Sequence, residues 1–129
     1  MNYYLGIDIG TLGTKVLMVD AIGTVVAEHT SEYDLSQPYN GWAEQDPEMW
    51  WKYAVEGIRK IAQEHPMSEV AAIGITYQMH GLVALDEQDN VIRPAILWND
   101  GRTSEETDYL NEVVGKEKLS KLTANIAFA

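Results

Sequence analysis

The chain has 129 residues, enough for one ordinary domain and too few for two, and its 46% hydrophobic and 22% charged residues make a globular mix. Twenty Asp and Glu against nine Lys and Arg give a net charge of -11, which repels phosphate backbones and anionic membranes and argues against nucleic acid or lipid as a partner. The lack of cysteine excludes disulfides and thiolate chemistry and fits a cytoplasmic protein.

Residues 3–9 read as a buried strand. The start, Met1 to Gly6, goes straight into this run with no basic leader, so no signal peptide is expected, and no apolar run approaches the ~20 residues of a membrane helix. Residues 15–19 and 24–29 predict two more strands, joined by the turn Asp20-Ala21-Ile22-Gly23. The spacing suggests three consecutive antiparallel strands. Residues 31–41 are polar, with Pro38 and Asn40, and read as a loop.

A helix start follows: Asp46 as N-cap, Pro47 in the first helical position, Glu48 at the positive end of the dipole. Trp51, Ala54, Val55, Ile58, Ile61 and Ala62 recur at helical spacing and predict the buried face, with Trp50 also mostly in the core. His65-Pro66 stops the helix. Residues 70–76 are short, apolar and β-branched, a central strand reached by a crossover, hence parallel to the first. Residues 82–85 and 91–92 flank a polar turn as a hairpin, and residues 95–98 predict another short strand. Thr103 with Glu106 has the pattern of a capping box, the helix runs on to Gly115, and residues 116–122 predict a further short helix. The order implies an α/β fold with a mixed sheet.

The sharpest motif is Gly6-Ile7-Asp8-Ile9-Gly10-Thr11-Leu12-Gly13-Thr14-Lys15. Gly10 and Gly13 let backbone approach a phosphate and take positive φ. Backbone N–H groups and the hydroxyls of Thr11 and Thr14 can donate to phosphate oxygens, and Lys15 adds a point charge. Asp8 can hold a magnesium ion through water. Neither a P-loop nor a dinucleotide fingerprint is present, and a plain β-hairpin with turn-forming glycines is the competing reading.

This hairpin resembles the first phosphate motif of the actin-like ATPase superfamily, of ribonuclease H-like fold. Three further strings narrow the resemblance: Trp42-Ala43-Glu44-Gln45-Asp46-Pro47 with Trp50-Trp51, then Gln78-Met79-His80-Gly81, then residues 94–102. Together the four are similar to the FGGY carbohydrate kinase family, with the second and third strings most like its D-xylulose-specific branch. The resemblance covers residues 4–124 and implies a partial N-terminal kinase domain over residues 1–129, without its C-terminal domain.

It further implies ATP and magnesium as cofactors, Asp8 supporting the metal and the hairpin residues Gly10, Thr11, Gly13, Thr14 and Lys15 holding phosphates. Gln78, Met79 and His80 would line the sugar site. Trp98 would stack on the sugar or pack into the core. Asn99 and Asp100 could reach sugar hydroxyls, while Arg102 would pair with a carboxylate or with helix-end carbonyls. Trp42, Glu44, Asp46 and Pro47 read as structural, Trp42 packing over the sheet.

The implied reaction transfers phosphate from ATP to D-xylulose. The family's catalytic base, a later aspartate, has no match, so this length of chain is expected to be inactive alone. Exposed sheet edges are expected to favour self-association, and a homodimer is a possible form. Two alternatives remain: another FGGY kinase acting on ribulose, gluconate or glycerol, and a non-catalytic actin-like module that binds nucleotide or protein.

Overall fold

This computed structural model describes residues 2–129. Apolar alternation builds the sheet. Strands β1 (Tyr3–Ile9), β2 (Gly13–Val19) and β3 (Val25–Glu32) pair antiparallel in succession, as their spacing predicts. A two-residue strand β4 (Glu44–Gln45) leads into helix α1 (Pro47–Ile61). Helix α1 and a 3-10 turn (Met67–Glu69) then return the chain to β5 (Val70–Tyr77), which lies parallel to β1. The sheet order is β3-β2-β1-β5, so the predicted mixed sheet is the one found.

The Asp20 turn closes on its own carboxylate, which accepts from the N–H of Ile22 at 3.0 Å and of Thr24 at 2.9 Å, while Gly23 takes φ 88°. Beyond β5 the predicted 82–92 hairpin shrinks to isolated bridges, Leu85 to Val91 and Leu82 to Ile96, around a turn that Asp86 caps in the same way. The predicted 95–98 strand shortens to β6 (Ala95–Ile96), which pairs with β4 in a separate small sheet. Helix α2 (Ser104–Tyr109) continues through a π-turn (Leu110–Gly115) to Gly115, at φ 92°, and α3 (Lys116–Thr123) follows. The Thr103 side chain makes no capping hydrogen bond, so the expected capping box does not form.

Helix α1 begins as its sequence dictates: the Asp46 carboxylate accepts from the Glu48 N–H at 3.0 Å, with Pro47 in the first turn. Asp46→Ala is expected to cost about 1 kcal/mol. A urea midpoint that falls at unchanged m-value would register it.

The buried stripe of α1 is rotated from the predicted one. Ala54, Gly57 and Ile61 are buried, with Trp50 and Tyr53 half-buried beside them, while Trp51 is 70% exposed. Gly57 decides the rotation. A Cβ built there would lie 2.5 Å from Val16 Cγ2, so the missing side chain lets α1 settle onto β2. Leu5, Ile7, Val16, Met18, Ala54 and Ile61 form the main core. Helix α1 covers β2 and β3 far more than β1, and on β5 it leaves Ile73, Ile75 and Tyr77 more than half exposed.

Candidate functional site

Parallel β1 and β5 carry the site at their shared C-terminal ends, where open α/β sheets gather ligands. Their ends open into a cleft of about 400 Å³ lined by Asp8, Ile9, Gly10, Thr11, Tyr77, Gln78, Met79, His80 and Trp98. The Gly6–Lys15 hairpin and the Gln78–His80 corner therefore share one cavity, although about 70 residues of chain separate them.

The hairpin turn spans residues 10–12 and closes with the Gly10 N–H donating to the Gly13 carbonyl at 2.9 Å. Neither Gly10 nor Gly13 has the positive φ expected of it. Their role is clearance: a Cβ on Gly13 would sit 2.9 Å from the Ser31 carbonyl oxygen, and one on Gly10 would sit 3.2 Å from the Gly13 carbonyl. The end of β3 clamps the same turn. The Tyr33 N–H donates to the Leu12 carbonyl at 3.1 Å and its phenol to the Gly10 carbonyl at 2.8 Å. Burial pushes the Tyr33 phenol up, outweighing the Thr14 hydrogen bond, and the Asp8 charge adds to the rise. The phenol thus keeps its proton. Because that proton goes to Gly10, the buried Thr14 hydroxyl, 3.1 Å away, must donate to Tyr33.

The hairpin residues therefore separate. Asp8, Gly10 and Thr11 face the cleft, whereas Gly13 and Thr14 support the turn from behind. Lys15 pairs with Glu28 on the neighbouring strand, Nζ to Oε2 3.1 Å, outside the cleft lining. Among the described residues no three His, Asp or Glu groups cluster as a metal cage. One exposed carboxylate, Asp8, in a cleft is still the donor set that suits magnesium, which keeps waters and takes few carboxylates.

On the opposite wall, His80 follows the end of β5 with φ 58°, a left-handed backbone uncommon outside glycine. Its ring meets Phe128 edge-on, centroids 5.8 Å apart, a partner no local sequence signal indicates. Met79 and Trp98 present their side chains openly, 68% and 56% exposed. Trp98 is thus a free face in the cleft and not core, its Nε1 donating to Thr11 Oγ1 at 3.3 Å.

Asn99 is exposed away from the cleft lining, and Asp100 is 4% exposed and fully engaged. The Asp100 carboxylate accepts from Arg102 Nε at 2.8 Å, Arg102 Nη2 at 2.6 Å and the Ala43 N–H at 2.6 Å. The Arg102 hydrogen bond holds its carboxyl at about 2, against the cost of burial, and the same bond lifts the guanidinium. Arg102 also pairs with Glu44 at 2.8 Å and stacks over Trp42 at 3.6 Å, so Trp42 packs on Arg102 and not over the sheet. These groups lock the β4 loop to the segment after β6, behind the cleft.

The residues 3–129 match the model of the FGGY family of carbohydrate kinases, N-terminal domain. The chain belongs to the FGGY family. Within the FGGY kinases it is 42% identical to the xylulose kinase of Escherichia coli strain K12 over 123 residues, 95% of this chain and 25% of that one. It is 41% identical to the xylulose kinase of Staphylococcus xylosus, over 97% of this chain and 26% of the relative. Among solved structures it superposes on a xyloylose kinase from Brucella ovis with TM-score 0.89 and 40% identity, covering 98% of this chain and 26% of that one. The FGGY relatives named here are thus about four times as long as this chain.

Proposed function

We propose that this chain forms the sugar- and phosphate-binding part of an ATP-dependent D-xylulose kinase, giving ADP and D-xylulose 5-phosphate. The observation that carries the reading is the single cleft in which Asp8 and the Gly10–Thr11 turn face Gln78, Met79, His80 and Trp98. The likeness to xylulose kinases of two bacteria supports the choice of sugar.

Each cleft group has a task that its chemistry allows. The Thr11 N–H, with the clearance that Gly10 gives the turn, donates to phosphate oxygens, and Asp8 holds magnesium through water, which neutralises charge on the transferring group. The His80 imidazole hydrogen-bonds a sugar hydroxyl, Met79 gives an apolar wall, and the open Trp98 face stacks on the carbon backbone of the sugar. No residue of this chain is assigned as the base that takes the hydroxyl proton, so the 129 residues bind without turning over.

Calorimetry of the chain with D-xylulose, glycerol and gluconate tests the reading. Binding of D-xylulose in preference to the other two is expected, with His80→Ala weakening it by a factor of about 3 to 10, the worth of one hydrogen bond. Binding of nucleotide without any sugar would instead mark a non-catalytic nucleotide module.

A further inference from the structure

Two glutamine side chains tie the two walls of the cleft together. Gln78 Nε2 donates to the Gly10 carbonyl at 3.3 Å and to Gln45 Oε1 at 3.0 Å, and Gln78 Oε1 accepts from Thr11 Oγ1 at 3.4 Å. Gln45, 2% exposed, donates from Nε2 to the Thr11 carbonyl at 2.5 Å and accepts the Trp50 indole N–H at 3.0 Å. The network admits only one orientation of each amide, since reversing either would set donor against donor or acceptor against acceptor. Trp98 adds a third tie through its bond to Thr11 Oγ1, so the Thr11 hydroxyl donates to the sugar wall and accepts from it.

An amide so fully engaged has little left for a sugar. Both protons of Gln78 and one face of its oxygen are spent on the phosphate turn and on Gln45. Gln45 in turn is fixed by Trp50 at the start of α1, which anchors the latch to the rigid part of the fold. The bonds from Gln78 to the turn are long, 3.3 and 3.4 Å, so small movements of the corner can tighten or release them.

Resting on the sugar-binding reading above, we infer that Gln78, braced by Gln45, is a positioning residue and not a sugar ligand. It latches the phosphate turn to the sugar corner, so that sugar arriving at Met79 and His80 resets the Gly10–Thr11 backbone that meets the phosphates. Coupling of this kind requires a physical link with differential contacts at both sites, and the two amides provide it.

Amide-resolved NMR of the 129-residue chain tests the latch in two arms, with Gln78→Met as the near-isosteric variant. In the first arm, without sugar, hydrogen exchange is followed at Gly10 and Tyr33, whose N–H groups hold the turn. Exchange there is expected to quicken about 3- to 10-fold in the variant, the factor one weak hydrogen bond supplies, with Val16 and Met18 in the core unchanged. Unchanged exchange at the turn overturns the inference.

In the second arm D-xylulose is titrated. The amides of residues 79–81 and those of Leu12 and Tyr33, which do not line the cleft, are expected to shift together in the unmodified chain. In the variant, shifts at residues 79–81 should persist and those at Leu12 and Tyr33 should vanish. Persistence of the distant shifts overturns the latch. So does loss of sugar response at residues 79–81 in the variant, which makes Gln78 a ligand. Silence at those residues in the unmodified chain defeats the sugar reading, and the exchange arm then decides the latch alone. Should Gln78→Met not fold, Gln45→Met breaks the same link from its other end.

Discussion

Asp100→Ala is expected to destabilise the chain by about 3 kcal/mol, the low end of what breaking a buried ion pair costs, because Glu44 still partners Arg102. Few side chains here hold as much. Removing the carboxylate takes three bonds from Arg102, its backbone N–H at 2.9 Å and its Nε and Nη2 at 2.8 and 2.6 Å, and the acceptor of the Ala43 N–H, and leaves a guanidinium only 11% exposed with Glu44 as its carboxylate. Against a typical total of about 5–15 kcal/mol, such a loss removes a large share of the stability. Urea denaturation measures it, and a change under about 1 kcal/mol would show the cluster to be ornamental.

The same residue sets part of the acid sensitivity. Arg102 holds the folded Asp100 carboxyl at about 2, below its ordinary 3.8. The stabilisation is therefore complete above the unfolded value and disappears as pH falls from about 4 through 2, an amount near 2 kcal/mol. Asp20 and Asp86, also lowered by the hydrogen bonds they accept, move stability in the same direction. The difference between the native chain and Asp100→Asn isolates the Asp100 share: the native curve should fall more steeply over that interval.

Gly57→Ala is the second large effect, and its sign opposes intuition. In an exposed helix interior, alanine would add roughly 1 kcal/mol over glycine. At this position the new methyl meets Val16 Cγ2 at 2.5 Å and Val16 Cβ at 3.0 Å. Val16 is 1% exposed and stiff at χ1, so it cannot swing aside, and a net loss of about 1–3 kcal/mol is expected. A double-mutant cycle with Val16→Ala locates the cause, because trimming the valine should recover part of the loss. Stabilisation by Gly57→Ala would mean that α1 can lift off the sheet without penalty.

Much of the fold is legible where a local rule and the tertiary environment agree. The strands β1, β2 and β3 announce themselves by apolar runs between glycine and aspartate turns, and α1 by its Asp46-Pro47 start. The face of α1 is misjudged because hydrophobicity ranks Trp51 as core and Gly57 as neutral. Packing reverses both, since only a residue without a side chain fits over Val16. Thr103 fails as a cap because its backbone, at φ -95° and ψ 21°, is not the extended one of an N-cap. The cleft is legible in outline: the Asp8–Thr11 end of the hairpin and the Gln78–His80 corner carry recognisable strings, and the parallel β1–β5 pair places them side by side. Tyr33 leaves no such trace, and Gln45, although it stands in the Trp42–Pro47 string, carries no sign of its role there. A glutamine or tyrosine gives no periodic signal, and their partners, Gln78 and Gly10, lie 33 and 23 residues away. The inward turn of Asp100 follows from Arg102 two residues on, a pairing of adjacent charges that the string Asp100-Gly101-Arg102 leaves open.

The uncovered apolar half of β5 and the charge of -11 work against each other in solution. Near neutral pH and low ionic strength, mutual repulsion keeps copies beyond the range at which Ile73, Ile75 and Tyr77 can touch another surface. In molar salt the repulsion reaches only about 3 Å, and acidification removes it at the source. The chain thus has a colloidal window bounded on both sides, and precipitation by salt, or by acid near the isoelectric point of about 4.5, would report the nakedness of one strand before the fold is lost.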